Sequence, residues 1–433
     1  VLTVHADAWN GLQNSGHAAE FCEGCHTDNQ MGSTSVSEGG WLTTADPRYY
    51  DVQCENCHGP GETHANNPEA SNIPLAPLSV GSELQLGCGE CHEGSHHPFV
   101  EQWAESPHSH VVGFAAAREG CNVCHRGQAT LVAWGENANY LEKFSDDPLP
   151  VVCGVCHDPH GEAVFDGQLR FPANTASIEA QICSKCHNRR PEPDPGSSHG
   201  LHPHAPESML LVGSAGWFPP GANIGEGEIL GTHGTENNER FCAACHVAFY
   251  EVDDAVTGEF VLTSVGHLFN PIPCVDADGI PLPFPNECSL STDVRSYVGC
   301  VDSGCHGSEQ AAASALTAAS ARMEFLVEEL LELLLIVDPN LDEPGGEIDP
   351  TNPTFTVAEG AFFNMALAEF GSEEFGTDTV LGSATHNPFL MESLLIASID
   401  VVEETYADIL PRVSGTDWDA ELEAVLQRAP VFR

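Results

Sequence analysis

Lysine is almost missing from this chain: Lys143 and Lys185 are the only two in 433 residues, and Lys and Arg together number 14 against 64 Asp and Glu. The formal net charge is −50. A surface this acidic cannot neutralise phosphates, so nucleic acid is excluded as a partner and an anionic membrane is disfavoured. It suits a saline or alkaline habitat, where salt screens self-repulsion over about 8 Å or less. Aromatic residues are also scarce, at 7%, while Gly number 41 and Pro 30. That is a thin supply of core for a chain long enough to form two or three domains. Membrane spans are lacking too. The most apolar stretch, Phe325 to Val337, carries Glu328, Glu329 and Glu332 and is too short to cross a bilayer.

What the chain does have is cysteine and histidine, 18 and 22 respectively, in a repeated pattern. Cys-x-x-Cys-His occurs seven times: Cys22/Cys25/His26, Cys54/Cys57/His58, Cys88/Cys91/His92, Cys121/Cys124/His125, Cys153/Cys156/His157, Cys183/Cys186/His187 and Cys242/Cys245/His246. Composition alone would give about 0.04 such matches. Two thiols that add across the haem vinyl groups, followed by an imidazole that reaches the iron, are the signature of c-type haem attachment. A zinc ribbon would need two Cys pairs per metal and no His after each. A stretched version, Cys300/Cys305/His306, is an eighth candidate. Its cysteines could instead join disulfides with Cys274 and Cys288. If all eight motifs carry haem, Cys274 and Cys288 remain as a pair closing a short loop, worth about 3 kcal/mol in the chain-entropy model.

Eight porphyrins would supply the apolar interior that the side chains lack and staple their loops, as metals and disulfides do in small scaffolds. The expected fold is a multihaem cytochrome c, loop-rich and mainly α with little β, with the haem chain as core and a helical C-terminal region. The first six motifs begin at residues 22, 54, 88, 121, 153 and 183, after which the intervals widen. Composition divides the chain into a haem-array region, 1–307, and a helical cap, 308–433.

Each iron needs a second axial ligand unless it is catalytic. The candidates are His17, His64, His108, His160, His204, His233, His267 and His386, eight for eight irons, with His199 and His202 as alternatives to His204. His5, His96, His97 and His110 are spares. His160 stands three residues after His157 with a Pro between them, so it is expected to reach a neighbouring haem, and His64 after His58 reads the same way. Methionine, the rival ligand, sits in apolar contexts.

Beyond His306 the periodicity predicts helices over 309–337, about 356–370, about 388–410, and one after Thr416 with a capping-box-like Asp419. In the first, Glu324, Glu328 and Glu332 form a wet stripe opposite Leu326, Leu330, Leu333 and Val337. His386 is expected at a helix start. Asp338, Asp342, Glu343, Glu347 and Asp349 offer hard oxygens around a Gly-Gly turn, which makes Ca²⁺ a further ligand to consider.

The phrases Trp-x4-His before an attachment site, Cys-His-Gly-Pro-Gly-x-x-His, Cys-His-Asp-Pro-His-Gly and the late His-Asn-Pro resemble those of multihaem c-type cytochromes. Among these, the chain is similar to bacterial extracellular cytochromes that polymerise into filaments. The resemblance implies bis-His haems, a homopolymeric filament, exchange with other redox proteins or extracellular acceptors, and a His near one end (His5 or His17) that ligates a haem of the next subunit. Haem attachment occurs outside the inner membrane, so an extracellular or cell-surface protein is expected, with the periplasm as the alternative and Val1 as a mature N-terminus after signal cleavage. Three functions compete. They are an electron conduit, filamentous or discrete; an octahaem reductase of nitrogen or sulfur oxyanions; and a structural surface-layer role. The reductase reading is weakened by the absence of Cys-x-x-Cys-Lys and by a charge that repels oxyanions.

Overall fold

Helix in this protein comes in two lengths, set by two kinds of sequence. Around the cysteine motifs, Gly and Pro interrupt every few residues and helices run four to eight residues. Past residue 308 most Gly and Pro fall between the helices, and four of the five described helices there run 11 to 29 residues. The computed structural model describes residues 3–16, 18, 22–28, 40–80, 87–161, 165–175, 177–195, 197, 200–235, 237–238, 240–254, 256–283, 288–302, 304–340, 354–370, 380–410 and 416–428. The chain separates into two compact units, Val1–Ala173 with Phe249–Asn270, and Asn174–Ala248 with Pro271–Arg433. The compositional boundary at 307/308 marks where attachment motifs end and falls inside the second unit.

The first unit carries five motifs on short helices such as Glu23–His26, Cys54–His58, Asn122–His125 and Cys153–Cys156. Its buried apolar cluster is small: Val80, Leu131, Val152 and Val155, edged by Trp103 and Trp134. Polar anchors do much of the positioning. Asp51 Oδ1 accepts from the amides of Trp9 (2.7 Å) and Asn10 (3.2 Å), capping helix Ala8–Ser15 from a distant segment. Strands Tyr250–Asp253 and Phe260–Ser264 form an antiparallel hairpin, the only sheet among the described residues. The buried Gln102 holds its exit. Gln102 Oε1 accepts from the amides of Val265 (3.2 Å) and His267 (3.0 Å), and Nε2 donates to Ser264 Oγ (3.3 Å).

The second unit contains a helical bundle. Helix Glu309–Val337 starts where Ser308 Oγ accepts from Ala311 N. It buries Met323, Leu326, Val327, Leu330 and Leu334, spaced three and four apart on one face. Glu328 and Glu332 are exposed, but Glu324, expected on the same wet stripe, is half-buried, because the helix is covered on more than one side. Helix Val357–Glu369 begins with a Thr356/Glu359 capping box and is buried almost all round. Gly360 lies so close to the Trp217 ring that a Cβ would meet it at 2.3 Å, so only glycine fits. Asn364, fully buried, accepts from Trp217 N, donates to Trp217 O and donates to Ser398 Oγ, at 2.7, 2.7 and 3.0 Å. The remaining helices are Leu381–His386, Pro388–Thr405 and Trp418–Arg428.

Three expectations change here. The helix expected over 388–410 ends at Thr405, and His386 closes a separate short helix instead of opening the long one. Asn387 divides them, its Oδ1 capping Leu390 N while Nδ2 donates to the carbonyls of Leu210 (3.0 Å) and Ile229 (2.8 Å). The last helix is capped by Asp417, which accepts from Ala420 N at 3.3 Å, one residue later than Thr416. Cys274 and Cys288 form a disulfide, the pairing left over when Cys300 and Cys305 belong to a haem motif. Met323, Met365 and Met391 are buried in the bundle.

Candidate haem centres

An imidazole ligand and its mate on the opposite face of one metal, each bonded at about 2 Å, have ring centres about 6 Å apart. Five attachment-motif histidines meet a second histidine at this spacing. In the first unit, His58 faces His160 with centroids 5.7 Å apart, planes 28° from parallel and Nε2 atoms 3.5 Å apart. His157 faces His267 at 6.4 Å and 20°. His92 faces His5 at 6.2 Å and 88°. In the second unit, His246 faces His386 at 6.2 Å and 8°, and His306 faces His233 at 6.2 Å and 52°. Four of these partners are candidates named from the sequence, and His160 does reach a distant motif. His5 is the departure: the sequence offers it as a spare, or as a bridge to another subunit, and the structure sets it against a motif of its own chain.

Hydrogen bonds at the other ring nitrogen strengthen the pattern. A carbonyl only accepts, so a ring nitrogen against one must carry the proton, leaving Nε2 with its lone pair. Nδ1 meets Ala8 O at His26 (3.3 Å), Gly167 O at His157 (2.5 Å), Thr385 O at His233 (2.8 Å), Val265 O at His267 (3.0 Å) and Gly382 O at His386 (2.7 Å). This is the orientation that fixes a metal-ligating histidine. Gly231 lets its segment pass close to the His386 backbone, since a Cβ there would lie 2.4 Å from His386 O. His187 differs: its Nδ1 bonds the carboxylate Glu207 Oε2 at 3.3 Å. Burial works to raise the Glu207 carboxyl, but the hydrogen bond and charge of His187 outweigh it and hold it down to about 2. Nothing in the sequence spacing marked Glu207.

Burial favours the neutral form of several rings, the form that binds metal. Burial, then the neighbouring His5, pushes His92 down to about 4, and burial followed by His246 does the same to His386. His157, His267 and His306 are lowered for the same first reason.

The cysteines of different motifs also meet. Cys25 hydrogen-bonds Cys91, and Cys88 hydrogen-bonds Cys153, linking the first, third and fifth motifs. Cys57 of the second motif feels the charge of Cys88. In the second unit, Cys183 hydrogen-bonds Cys242, and Cys245 feels the charge of Cys305, joining the sixth, seventh and eighth motifs.

Cys124 and Cys186, expected to bind haem in the fourth and sixth motifs, are set by a backbone turn. Cys124 N and His125 N both donate to Cys121 O, at 3.1 and 3.2 Å, and Cys186 N and His187 N both donate to Cys183 O, at 3.2 and 3.0 Å. One tight turn thus sets each pair of thiols beside its histidine, and Cys121, Cys124, Cys183 and Cys186 are all half-buried. The same turn recurs where His92 N donates to Cys88 O and His157 N to Cys153 O. Cys22, Cys54, Cys156 and Cys300 likewise stand within or beside the short helices of their motifs.

Other candidates have different neighbours. His64 Nδ1 lies 2.9 Å from Asn72 Oδ1, the His108 ring sits 4.5 Å from that of Phe269, and exposed His202 has its ring edge-on to Phe362. His204 is half-buried. His17 and His199 lie outside the described residues, as do Asp342, Glu343, Glu347 and Asp349 of the Ca²⁺ candidate. Among the described residues, no group of three or more His, Cys, Asp or Glu could hold a bare metal ion, and no helix is long and apolar enough to cross a membrane. The donor set present, single imidazoles opposed across about 6 Å beside paired thiols, fits haem.

No protein-family model matches the chain, and no curated protein matches it. A solved structure to which it is similar is the crystal structure of the outer cell wall cytochrome OcwA, with a TM-score of 0.49 and 16% identity, covering 90% of this chain and 78% of that one.

Proposed function

We propose that this protein conducts electrons along eight covalently attached c-type haems whose irons are each held between two histidines. The observation that carries the reading is the opposition of five motif histidines to a second histidine at 5.7–6.4 Å. Bound haem supplies a reversible one-electron couple. The chain does the rest. The motif cysteines fix each porphyrin edge, with Cys124 and Cys186 as the second thiols for the fourth and sixth groups. The motif histidine takes one axial position, and the second histidine fills the other, which leaves no open site for a substrate. That favours a carrier over a reductase. The cysteine contacts between motifs support short gaps between neighbouring groups, as tunnelling requires. His17, His64, His108 and His204 are proposed for the irons of His26, His125 and His187 and as local alternatives.

The same reading extends to an exported, extracellular protein and, through the motif phrases, to a subunit of a homopolymeric filament. Intact-mass measurement should find eight haems. Seven would return Cys300 and Cys305 to thiol chemistry. Electron microscopy of native material should find filaments, and discrete particles at all salt concentrations would reduce the proposal to a soluble carrier.

A further inference from the structure

Resting on that haem reading, we infer that His5 is the second axial ligand of the iron held by His92, supplied by the same chain, and that this iron carries its two imidazoles crossed. The ring centres stand 6.2 Å apart, the same spacing as His246 and His386, but the planes meet at 88° instead of 8°. Both rings are fixed by their surroundings. Val52 N donates to His5 O at 3.2 Å, and the helix that follows is pinned through Trp9 and Asn10 to Asp51. Trp9 itself is buried. On the other side, Phe99 packs edge-on against His92 with centroids 5.5 Å apart. The two nearby spare histidines are turned to phenyl rings, His96 onto Phe260 and His97 onto Phe99. An intrachain role for His5 also removes it as the bridge to a second subunit.

Crossing has an electronic consequence. An imidazole donates π density perpendicular to its plane. Parallel planes load one of the iron dxz and dyz orbitals and split the pair, whereas crossed planes load both equally and leave them nearly degenerate. The His5/His92 iron should therefore give an axial low-spin ferric signal with one large g value, distinct from the rhombic signals of His246/His386 and His157/His267.

The test is electron paramagnetic resonance on the fully oxidised, haem-loaded protein. Wild type should show the large-g signal beside rhombic ones. His5→Gly should lose it and gain a high-spin signal of about one haem in eight, reversed by added imidazole. His5→Met, which keeps a ligand, should replace it with the near-infrared sulfur-to-iron band and raise one potential. His160→Gly should leave the large-g signal in place. A wild-type spectrum without any low-spin haem would refute the haem reading itself. Low-spin haem with no large-g signal, or one that survives His5→Gly, would overturn only the His5 assignment.

Discussion

Among the described residues, the first unit carries five attachment motifs and a buried apolar cluster of four residues, while the second carries three motifs and a bundle whose cluster has 25. The first unit thus has little hydrophobic driving force of its own, and on the proposed reading porphyrin would supply most of its interior. The second has a protein core that can fold from side chains alone. Second histidines are presented in two ways, on short segments in both units and on a packed helix in the second. His160 and His5 sit on short, locally anchored segments. His386 ends a helix that is packed against Met323 through Ser383.

Withholding haem should break this parity most severely. In cells lacking c-type maturation, hydrogen exchange of the purified chain should reveal lost protection through Val1–Ala173 and retained protection in Glu309–Val337, Val357–Glu369 and Pro388–Thr405. Equal loss in both units would erase the distinction. A cavity in the bundle is the converse perturbation. Leu394→Ala removes a fully buried side chain and should cost about 2–5 kcal/mol in the melt of the helical far-ultraviolet signal. The low-spin spectra of the first-unit haems should be unchanged below that transition.

The division is only half legible in the sequence. Cys-x-x-Cys-His is local, so every candidate attachment site, Cys124 and Cys186 included, can be read off directly. The 29-residue helix is bounded correctly because Ser308 caps it and no Gly or Pro interrupts it. Axial pairing is a long-range property. His58 and His160 are separated by 102 residues, and no spacing rule links them. His5 is hard to read because it precedes every motif and nothing nearby marks it. The short helix Leu381–His386 escapes a periodicity reading because its boundary depends on Asn387 gripping the carbonyls of Leu210 and Ile229, far away in the chain.

A smaller effect should single out one haem of the second unit. Only His187, among the motif histidines with a described Nδ1 bond, donates to a carboxylate; His26 and His157 donate to carbonyls. A carboxylate makes the imidazole a stronger donor and favours ferric iron. In spectropotentiometric titration, Glu207→Gln should raise one of the lower potentials and leave the rest in place. A shift across all haems would point to a structural role instead.

The smallest contrast concerns pH. In the first unit, burial raises Glu142, but hydrogen bonds from Ser79 Oγ and the amides of Leu78 and Ser79 outweigh it and hold it below its ordinary value of 4.5. Its stabilisation is therefore full above that value and fades as pH falls through its lowered folded-state pKa. In the bundle, burial first and neighbouring carboxylates second push Glu324, Glu329 and Glu403 up. There the folded state binds protons more tightly than the unfolded one, so acidification from neutral pH adds stability down to about 4.5. Burial also raises Glu90 and Glu105 in the first unit and Glu207 is held down in the second, so the contrast is tested residue by residue: Glu142→Gln should flatten the loss of thermal stability on acidification below about 4.5, and an unchanged pH profile of the melts would contradict this assignment.

Near-infrared magnetic circular dichroism of the oxidised, fully loaded protein tests the central claim most directly, because it identifies the axial pair on each ferric haem. Saturated irons held by two histidines predict only the bis-histidine band, with an intensity equal to all eight haems. A high-spin component, or a band from histidine paired with methionine, would contradict the account of this protein as a closed electron conduit.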